Sequence, residues 1–333
     1  MSSLQKATSL QNKIDFAVVL RVKHANPNGD PLNGNRPRID YNGYGEITDV
    51  CLKRKIRDRL QDAGEIIFVQ ADDRKLDGAR SLRERAESAV WGLGSQAFKF
   101  VAKKEKKARA AKSASKRTAT AADMTADANE QVTVDSTAGA TDANEQSNAQ
   151  KEQTALAACE KWLDVRTFGN LFAWKGTSDS DSVSIPIRGP VTVQSAFSIQ
   201  PVEVTSTQIT KSVSGEGDGT GRGSDTMGMK HRVDEGIYVS YGSMNPQLSE
   251  RTGFSDDDAN AIKAVLPRLF ENDASSARPE GSMEVLKVVW WRHSNKSGQY
   301  SSAKVHRSLS VKPDGEIALA TLDGLTPEII DGF

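Results

Sequence analysis

The chain has 333 residues and a formal net charge of +0, from 44 Lys and Arg against 44 Asp and Glu. This balance argues against a protein that coats nucleic acid through bulk positive potential, so any binding of RNA or DNA has to be local. The first dozen residues are polar and no apolar run reaches about eighteen residues, which argues against secretion and membrane spanning. We therefore expect a cytoplasmic protein.

The cysteines and histidines do not form a recognisable metal site. Cys51 and Cys159 lack Cys-x-x-Cys spacing, which excludes a structural zinc motif and a disulfide framework. The histidines are scattered without His-Glu-x-x-His spacing, at His24, His231, His293 and His306. We expect no metal and no cofactor.

The first predicted element is a strand over residues 16–24. Its residues are largely β-branched and apolar, and Leu20 and Val22 alternate with Arg21 and Lys23, which gives the strand one polar face. The following residues, 24–40, are rich in Asn, Gly, Pro and Arg. Prolines lack the ladder donor and glycines allow positive φ, so this composition predicts an irregular loop. Such a loop presents hydrogen-bond donors to an anion.

A basic helix is predicted from Thr48 to Ala63, with Thr48 as its N-cap and Asp49 in its first turn. Leu52, Ile56 and Leu60 form an apolar stripe with Ala63. Its shoulders are cationic: Lys53, Arg54 and Arg57 lie towards one side and Lys55 and Arg59 towards the other. A solvated surface helix explains this pattern by itself. Beside the Arg36-Pro37-Arg38 loop, it favours a phosphate-contacting surface.

The remaining predicted elements complete a split βαβ plan. They are strands over 65–69, one or two strands within 184–204, a strand over 237–241, a helix over 256–270 and a strand over 283–292. The order is strand, helix, strand, insertion, strand, hairpin, helix, strand, which predicts an α+β fold. Trp290 and Trp291 are expected to point to opposite faces of the last strand.

Two polar segments interrupt this pattern. Residues 101–161 contain no aromatic residue and change from basic to acidic, so we expect a solvated or disordered insertion, with a dedicated nucleic-acid arm as the alternative. Glycine occupies every second position over 215–223, without the residues of a Walker A loop or a dinucleotide fingerprint. By itself this run is typical of a flexible linker. The following residues, Met227 to Arg232, combine adaptable sulfur side chains with three potential cations, which suits contact with bases and phosphates.

Five sequence blocks occur in chain order: Asn-Pro-Asn-Gly-Asp-Pro (26–31), Asn-Arg-Pro-Arg (35–38), Ile-Thr-Asp-Val-Cys-Leu-Lys-Arg-Lys-Ile-Arg-Asp (47–58), Asp-Val-Arg-Thr-Phe-Gly (164–169) and Ile-Arg-Gly-Pro-Val-Thr-Val-Gln-Ser (187–195). Together they resemble the Cas7 backbone family of CRISPR Cascade complexes, in its type I-C (Csd-type) branch. The resemblance implies an RRM-like, ferredoxin-like palm with an inserted fingers lobe and an extended thumb hairpin.

The resemblance also implies a domain plan. Residues 1–90 would form the first part of the palm, 91–161 the polar, partly flexible fingers, 162–204 palm strands, 205–236 the Gly-rich thumb hairpin and 237–333 the second half of the palm. The ordinary RRM aromatic signature is absent, so base stacking on the sheet is not expected.

The function implied is that of a non-catalytic antiviral-defence subunit that polymerises along guide RNA and presents it to target DNA. The implied partners are CRISPR guide RNA, target DNA, copies of the chain in a helical filament, and the pre-crRNA-processing, large and small Cascade subunits, with no membrane partner. One alternative is a metal-dependent RNA endonuclease that uses Asp30, because related subunits of other CRISPR types cut RNA with an Asp in this loop. The other is a general single-strand binder.

Residue patterns and resemblance together predict an RNA-binding site without catalytic or metal-binding residues. Its members are Asn26, Asn28, Asn33, Arg36, Arg38, Lys53, Arg54, Arg57, Arg166, Phe168, Gly169, Arg188, Gln194, Ser195, Met227, Met229, Lys230, His231 and Arg232.

Overall fold

The computed structural model describes residues 8–100, 138–174, 183–212 and 227–333, with the side chains of 138–147 left out. Two sequence predictions lie outside these ranges: the basic run of the insertion, from Lys103 to Arg117, and the alternating glycines from Gly215 to Gly223.

The strands in chain order are β1 Ile14–Ala25, β2 Gly29–Asp30, β3 Arg36–Pro37, β4 Tyr44–Ile47, β5 Gly169–Trp174, β6 Val183–Arg188, β7 Val191–Val193, β8 Ala196–Pro201, β9 Val204–Thr210, β10 Met227–Met244, β11 Met283–Arg292, β12 Leu309–Val311, β13 Ile317–Leu319 and β14 Glu328–Asp331. The α-helices are α1 Asp49–Asp62, α2 Leu82–Glu87, α3 Ala138–Lys161, α4 Leu163–Phe168, α5 Pro246–Thr252, α6 Asp256–Val265 and α7 Ser302–Arg307. Short 3-10 turns occupy Pro31–Asn33, Ser95–Phe98 and Leu266–Arg268.

A large antiparallel sheet with the order β14-β11-β1-β10-β8-β4 organises the chain, and β7 and β9 also pair with β10. β1 lies inside the sheet between β10 and β11, and residues 14–20 are buried throughout. Strands covered on both faces need nearly continuous apolar sequence, as residues 14–20 have. The predicted strand over 16–24 is confirmed and extended at both ends, and the strand over 283–292 is confirmed with the same bounds.

The predicted basic helix is confirmed as α1. The Thr48 side chain accepts a hydrogen bond from the Cys51 amide, as expected of an N-cap. Leu52, Ile56 and Leu60 are buried in the main core beside β1. The apolar stripe therefore fixes which shoulders of α1 remain at the surface.

The second predicted helix is confirmed over Asp256–Val265 but ends earlier than expected. The expectation placed its end at Phe270, whereas the chain turns into a 3-10 segment at Leu266. Pro267 explains the difference, because proline has no amide hydrogen to donate to the carbonyl of the preceding helical turn.

The predicted strand over 65–69 is wrong. The Phe68 and Val69 amides donate to the Asp164 carboxylate at 2.7 and 3.0 Å instead of to a neighbouring strand. The Ile66 carbonyl accepts from the Leu163 amide at 2.9 Å. Residues on α4 thus take the backbone groups that a sheet ladder would need.

The interval 184–204, expected to hold one or two strands, contains β6, β7 and β8. Gly189-Pro190 and Gln194-Ser195 separate them. β6 pairs with β5 in a hairpin outside the large sheet, while β7 and β8 pair with β10. The sequence blocks at 164–169 and 187–195 therefore connect the β5–β6 hairpin to the large sheet.

A second apolar cluster lies beneath the β5–β6 hairpin. The Phe68 and Trp162 rings are 4.6 Å apart, and the Phe172 ring lies 5.1 Å from Phe68 and 5.6 Å from Phe98. Cys159 of α3 joins the same cluster. The described edges of the polar insertion are thus more buried than their composition predicts, because aromatic residues on either side of the insertion cover them.

Trp290 and Trp291 point to opposite faces of β11, as predicted. Trp290 stacks on Phe16 with ring centres 5.6 Å apart, and Trp291 packs in a third cluster with Val305 of α7. Both indoles are buried. Within the described ranges, no helix is both long enough and apolar enough to cross a bilayer.

Candidate nucleic-acid interface

The loop after β1 is held together by its own asparagines. The Asn26 side chain is buried and its Nδ2 donates to the Asn35 carbonyl at 2.7 Å. Asn28 Oδ1 accepts from the amide and the hydroxyl of Thr48 at 2.9 and 2.8 Å. These two predicted site residues therefore shape the loop and attach it to the start of α1.

The polar residues at the end of this loop lie nearer the surface. Asn33 is exposed in the 3-10 turn. Arg38 Nη2 lies 3.3 Å from Asp30 Oδ1. Arg36 Nη1 donates to Ser206 Oγ of β9 at 3.0 Å. This last contact joins the loop to the β9–β10 hairpin.

Each cation predicted on the first shoulder of α1 has a carboxylate partner. The N–O distances are 2.9 Å for Lys53–Asp49, 3.7 Å for Arg54–Asp58, 3.6 Å for Arg54–Asp73 and 2.9 Å for Arg57–Asp164. The shoulder is thus nearer to electrical neutrality than the run of basic residues suggests. Only Arg54 among these three cations is largely exposed.

The opposite shoulder of α1 is turned inward. Lys55 is buried and ion-paired with Asp273, and burial lowers the pKa of Lys55 against the opposing effect of that carboxylate. Burial also raises the pKa of the Cys51 thiol and of the Asp58 carboxyl. These residues stabilise the contact between α1 and its neighbours and do not face solvent as a cationic surface.

Helix α4 supplies the acidic residue of one ion pair and the basic residue of another. Asp164 accepts from Arg57 of α1, and Arg166 donates through Nε and Nη2 to the two oxygens of Asp258 at 3.0 and 2.8 Å. The Phe168 ring lies under the Arg57 guanidinium, 4.9 Å from ring centre to Cζ. The predicted guide contacts Arg166 and Phe168 are therefore engaged within the chain.

The turn after α4 depends on a glycine. Gly169 has a φ of +80°, and a Cβ there would lie 2.2 Å from the Ile187 carbonyl oxygen. Gly169 pairs in register with Arg188, which is exposed and forms no ion pair with any described residue. Gln194 is exposed nearby in sequence, and Ser195 Oγ accepts from the Asp49 amide at 3.3 Å.

The β9–β10 hairpin presents two different faces. Met227 and Met229 are 64% and 56% exposed, and His231 follows them on the same face. Lys230 and Arg232 lie on the other face. Lys230 is exposed without an ion pair in the described chain, whereas Arg232 Nε lies 3.3 Å from Asp234.

The structure adds three residues that the sequence analysis missed. Ser206 contacts Arg36 and lies 2.8 Å from His231 Nδ1. Asp234 is held by Thr205 and Arg232, and the Thr205 hydrogen bond lowers its pKa. Asp258 follows Ser255 by three residues, a capping-box pattern visible in sequence, but its contact with Arg166 spans 92 positions.

We group the predicted site residues at or near the surface into two sets according to these contacts. The loop–hairpin surface comprises Asn33, Arg36, Arg38, Met227, Met229, Lys230, His231 and Arg232. The helix-side surface comprises Lys53, Arg54, Arg57, Phe168, Gly169, Arg188, Gln194 and Ser195. In the part of the chain described, no three His, Cys, Asp or Glu side chains are arranged to hold a metal ion.

A sequence model of the family described as CRISPR-associated protein Cas7 matches residues 12–323. The chain belongs to this family. It is 24% identical over 332 residues to CRISPR-associated protein Cas7 of Haloferax volcanii, a match that covers 96% of this chain and 81% of that protein. The family predicted from the five sequence blocks is thereby confirmed.

Solved structures give two further matches for this Cas7-family chain. A chain titled CRISPR RNA-guided surveillance complex, pre-nicking, is 15% identical with a TM-score of 0.43; the match covers 84% of this chain and 78% of that one. A chain titled CRISPR RNA-guided surveillance complex is 14% identical with a TM-score of 0.38, covering 84% and 68% respectively.

Proposed function

We propose that this Cas7-family chain is a non-catalytic backbone subunit of a type I-C Cascade. In this role it polymerises along CRISPR guide RNA and presents the RNA for pairing with target DNA. The observation that carries the proposal is the exposed Met227–Met229 face of the hairpin beside Arg36. Adaptable apolar side chains next to cations suit contact with bases and phosphates of a single strand.

The geometry of β10 supports a projecting thumb. Pairing between β1 and β10 ends at Ala25 and Val233, whereas β10 begins at Met227 and continues to pair with β9. At about 3.3 Å per residue, these six residues extend the hairpin roughly 20 Å beyond the end of β1. A projection of this length can cross a bound strand.

We assign the large sheet to an RRM-like palm. Its inner order β11-β1-β10-β8, with α1 after β1 and α6 between β10 and β11, follows the strand and helix order of the split βαβ plan. On the sheet face opposite α1 and α6, Val289 and Trp291 are buried with Val305 of α7, which supports an RNA path along the loop–hairpin and helix-side surfaces and not across the sheet.

The proposed partners follow from this role. They are CRISPR guide RNA, target DNA, further copies of the chain, and the pre-crRNA-processing, large and small subunits of Cascade. The formal net charge of +0 is compatible with copies lying side by side without strong repulsion. We place the assembly in the cytoplasm, where guide RNA is made and used.

Co-purified RNA provides the test. The chain is expressed with a CRISPR repeat–spacer transcript, and the bound RNA is isolated and sequenced. We expect repeat-derived RNA of defined length, with much less in a Met227→Glu, Met229→Glu variant, because carboxylates repel phosphates. The control is Leu76→Glu, Val90→Glu, which adds the same charge at two exposed apolar residues outside both surfaces. RNA without repeat sequence would favour the general single-strand binder.

The endonuclease alternative rests on Asp30, which lies in the loop after β1. Its carboxylate accepts from the Leu32 amide at 3.2 Å and pairs with Arg38, so it already has partners within the loop. The assembled complex is incubated with labelled complementary RNA and Mg²⁺. Cleavage that disappears in Asp30→Ala would establish the nuclease and overturn the non-catalytic role.

A further inference from the structure

Helix α4 is clamped between α1 and α6. Asp164 accepts from Arg57 of α1, and two residues later Arg166 donates to Asp258 of α6. Asp164 is 1% exposed and also accepts from two backbone amides of the 65–69 segment. The position of this six-residue helix is therefore set by side chains at both of its flanks.

All three nitrogens of the Arg166 guanidinium donate hydrogen bonds within the chain. Nε and Nη2 donate to the two Asp258 oxygens, and Nη1 donates to the Cys159 carbonyl at 3.3 Å. The side chains of Arg166 and Asp258 are 19% and 11% exposed. A bidentate pair of this kind fixes geometry as well as charge, which leaves little of the arginine fork for a phosphate.

Asp258 is also held in place by hydrogen bonds that do not involve Arg166. Its Oδ2 accepts from the Ser255 amide at 2.8 Å, and its own amide donates to Ser255 Oγ at 3.1 Å. This reciprocal arrangement is a capping box at the start of α6. The carboxylate is thus a rigid anchor to which α4 is attached.

We propose that Arg166 and Asp258 are a positioning pair for RNA binding and that Arg166 does not contact the guide directly. The pair fixes the end of α4, where Gly169 turns the chain into the hairpin that holds Arg188 in register. Arg188 is exposed and has no ion-pair partner among the described residues, so it remains available for a phosphate. This inference rests on the proposed RNA-binding function.

The two roles of Arg166 predict opposite effects for Asp258→Asn. A direct phosphate contact gains affinity when the neighbouring negative charge is removed. A positioning pair loses affinity, by about fivefold for a coupling of ordinary size, because α4 loses its anchor. Asparagine retains an oxygen that can accept from the Ser255 amide, so the helix cap is preserved. Asp257→Asn, an equal charge change one residue away on an exposed side chain, is the control.

Binding of the full chain to a labelled single-stranded oligouridylate is measured over a salt titration. We expect Arg166→Lys and Asp258→Asn to weaken binding alike with an unchanged salt slope, and the double variant to be no weaker than either single one. Tighter binding by Asp258→Asn, or wild-type binding by Arg166→Lys, would overturn the positioning role. Absence of binding by the wild-type chain would instead overturn the proposed function.

Folding is controlled separately. Thermal unfolding is followed for each variant. Arg166→Lys keeps the positive charge and one hydrogen bond, so it remains a test if Asp258→Asn does not fold. In that case the salt slopes of Arg166→Lys and Arg166→Gln decide. A positioning role predicts lower affinity at an unchanged salt slope in both variants, whereas a phosphate contact predicts a slope about 0.7 smaller in Arg166→Gln, which has lost the charge.

Discussion

The Arg57 guanidinium lies 4.9 Å from the centre of the Phe168 ring while its Nε donates to Asp164 at 2.9 Å. A cation over an aromatic face is attracted by the ring quadrupole, and its carboxylate partner fixes its orientation. One face of Phe168 is therefore covered by its own chain. That face of the ring is not available for stacking with a base.

Arg188 and Lys230, which have no ion pair within the described ranges, should dominate the salt dependence of RNA binding. We expect Arg188→Ala and Lys230→Ala each to reduce the slope of log affinity against log salt by about 0.7, as for one phosphate contact to a single strand. Lys53→Ala should leave the slope nearly unchanged, because Asp49 already holds Lys53 at 2.9 Å. Equal slope changes in all three variants would show that this ion pair opens on binding.

Asp164 should be important for stability. Asp164→Asn removes the buried charge that pairs with Arg57 and leaves a partly buried guanidinium poorly compensated. We expect a loss of about 3 kcal/mol in the free energy of unfolding, measured by urea titration. Glu250→Gln, which breaks the exposed pair with Lys296, should cost about 1 kcal/mol or less. Similar losses would place Asp164 among ordinary surface pairs.

Stability should fall as the pH drops below about 6.5, the ordinary histidine value. Burial lowers the pKa of His306, although Asp15 and the Gly242 carbonyl act in the opposite direction. Below this pH the unfolded chain binds a proton at His306 more readily than the folded chain does. The free energy of unfolding therefore decreases as the pH falls. The limiting slope is about 1.4 kcal/mol per pH unit. Urea unfolding from about pH 7.5 to 5.5 measures it.

The His306 contribution can be isolated by substitution. Lys13, Asp15 and Tyr241 are titratable groups next to the imidazole. Burial raises the pKa of Asp15, but hydrogen bonds from His293 and Ser302, together with the charge and hydrogen bond of Lys13, leave it below its usual value. Asp15 therefore loses its contribution only at more acidic pH. His306→Gln should reduce the slope between about pH 6.5 and 5.5. An unchanged slope would assign the effect to another group.

The hairpin should impose a periodic pattern on target recognition. If Met227 and Met229 displace one guide base per subunit, that base cannot pair, and mismatches at regularly repeating positions should be tolerated. Tolerance should follow position and not base identity, because every base offers a π-face. Target DNA binding is measured for assembled complexes with single mismatches scanned along the guide. Uniform sensitivity at every position would contradict base displacement by the hairpin.

The same scan can assign the effect to the methionine face. Replacing Met227 and Met229 by Ser should weaken the periodic tolerance, because Ser has no extended apolar side chain to hold a base aside. Ile209→Ser, on the other face of the hairpin, should leave the pattern intact. If Ile209→Ser alone abolishes the pattern, the opposite face carries the contact.

The sequence determined the elements whose signals are local. β1 and β11 are apolar and β-branched, and α1 combines an N-cap with a stripe at helical spacing. Such patterns act within a few residues, so they can be read without knowledge of the fold. The five ordered blocks were sufficient for the family. The helix predicted over 256–270 ends at Val265, although Pro267, which limits it, is also a local signal.

The tertiary structure decided which charges are free. In sequence Lys53, Arg57 and Arg166 are cations like Arg188 and Lys230, but among the residues that the structure describes only the first three have a carboxylate partner. The Arg57 and Arg166 partners lie 107 and 92 positions away, and the strand expected over 65–69 is replaced by bonds to Asp164, 95 or more positions away. Local propensity contains no information about such distant partners, because only the packing of α1, α4 and α6 brings them together.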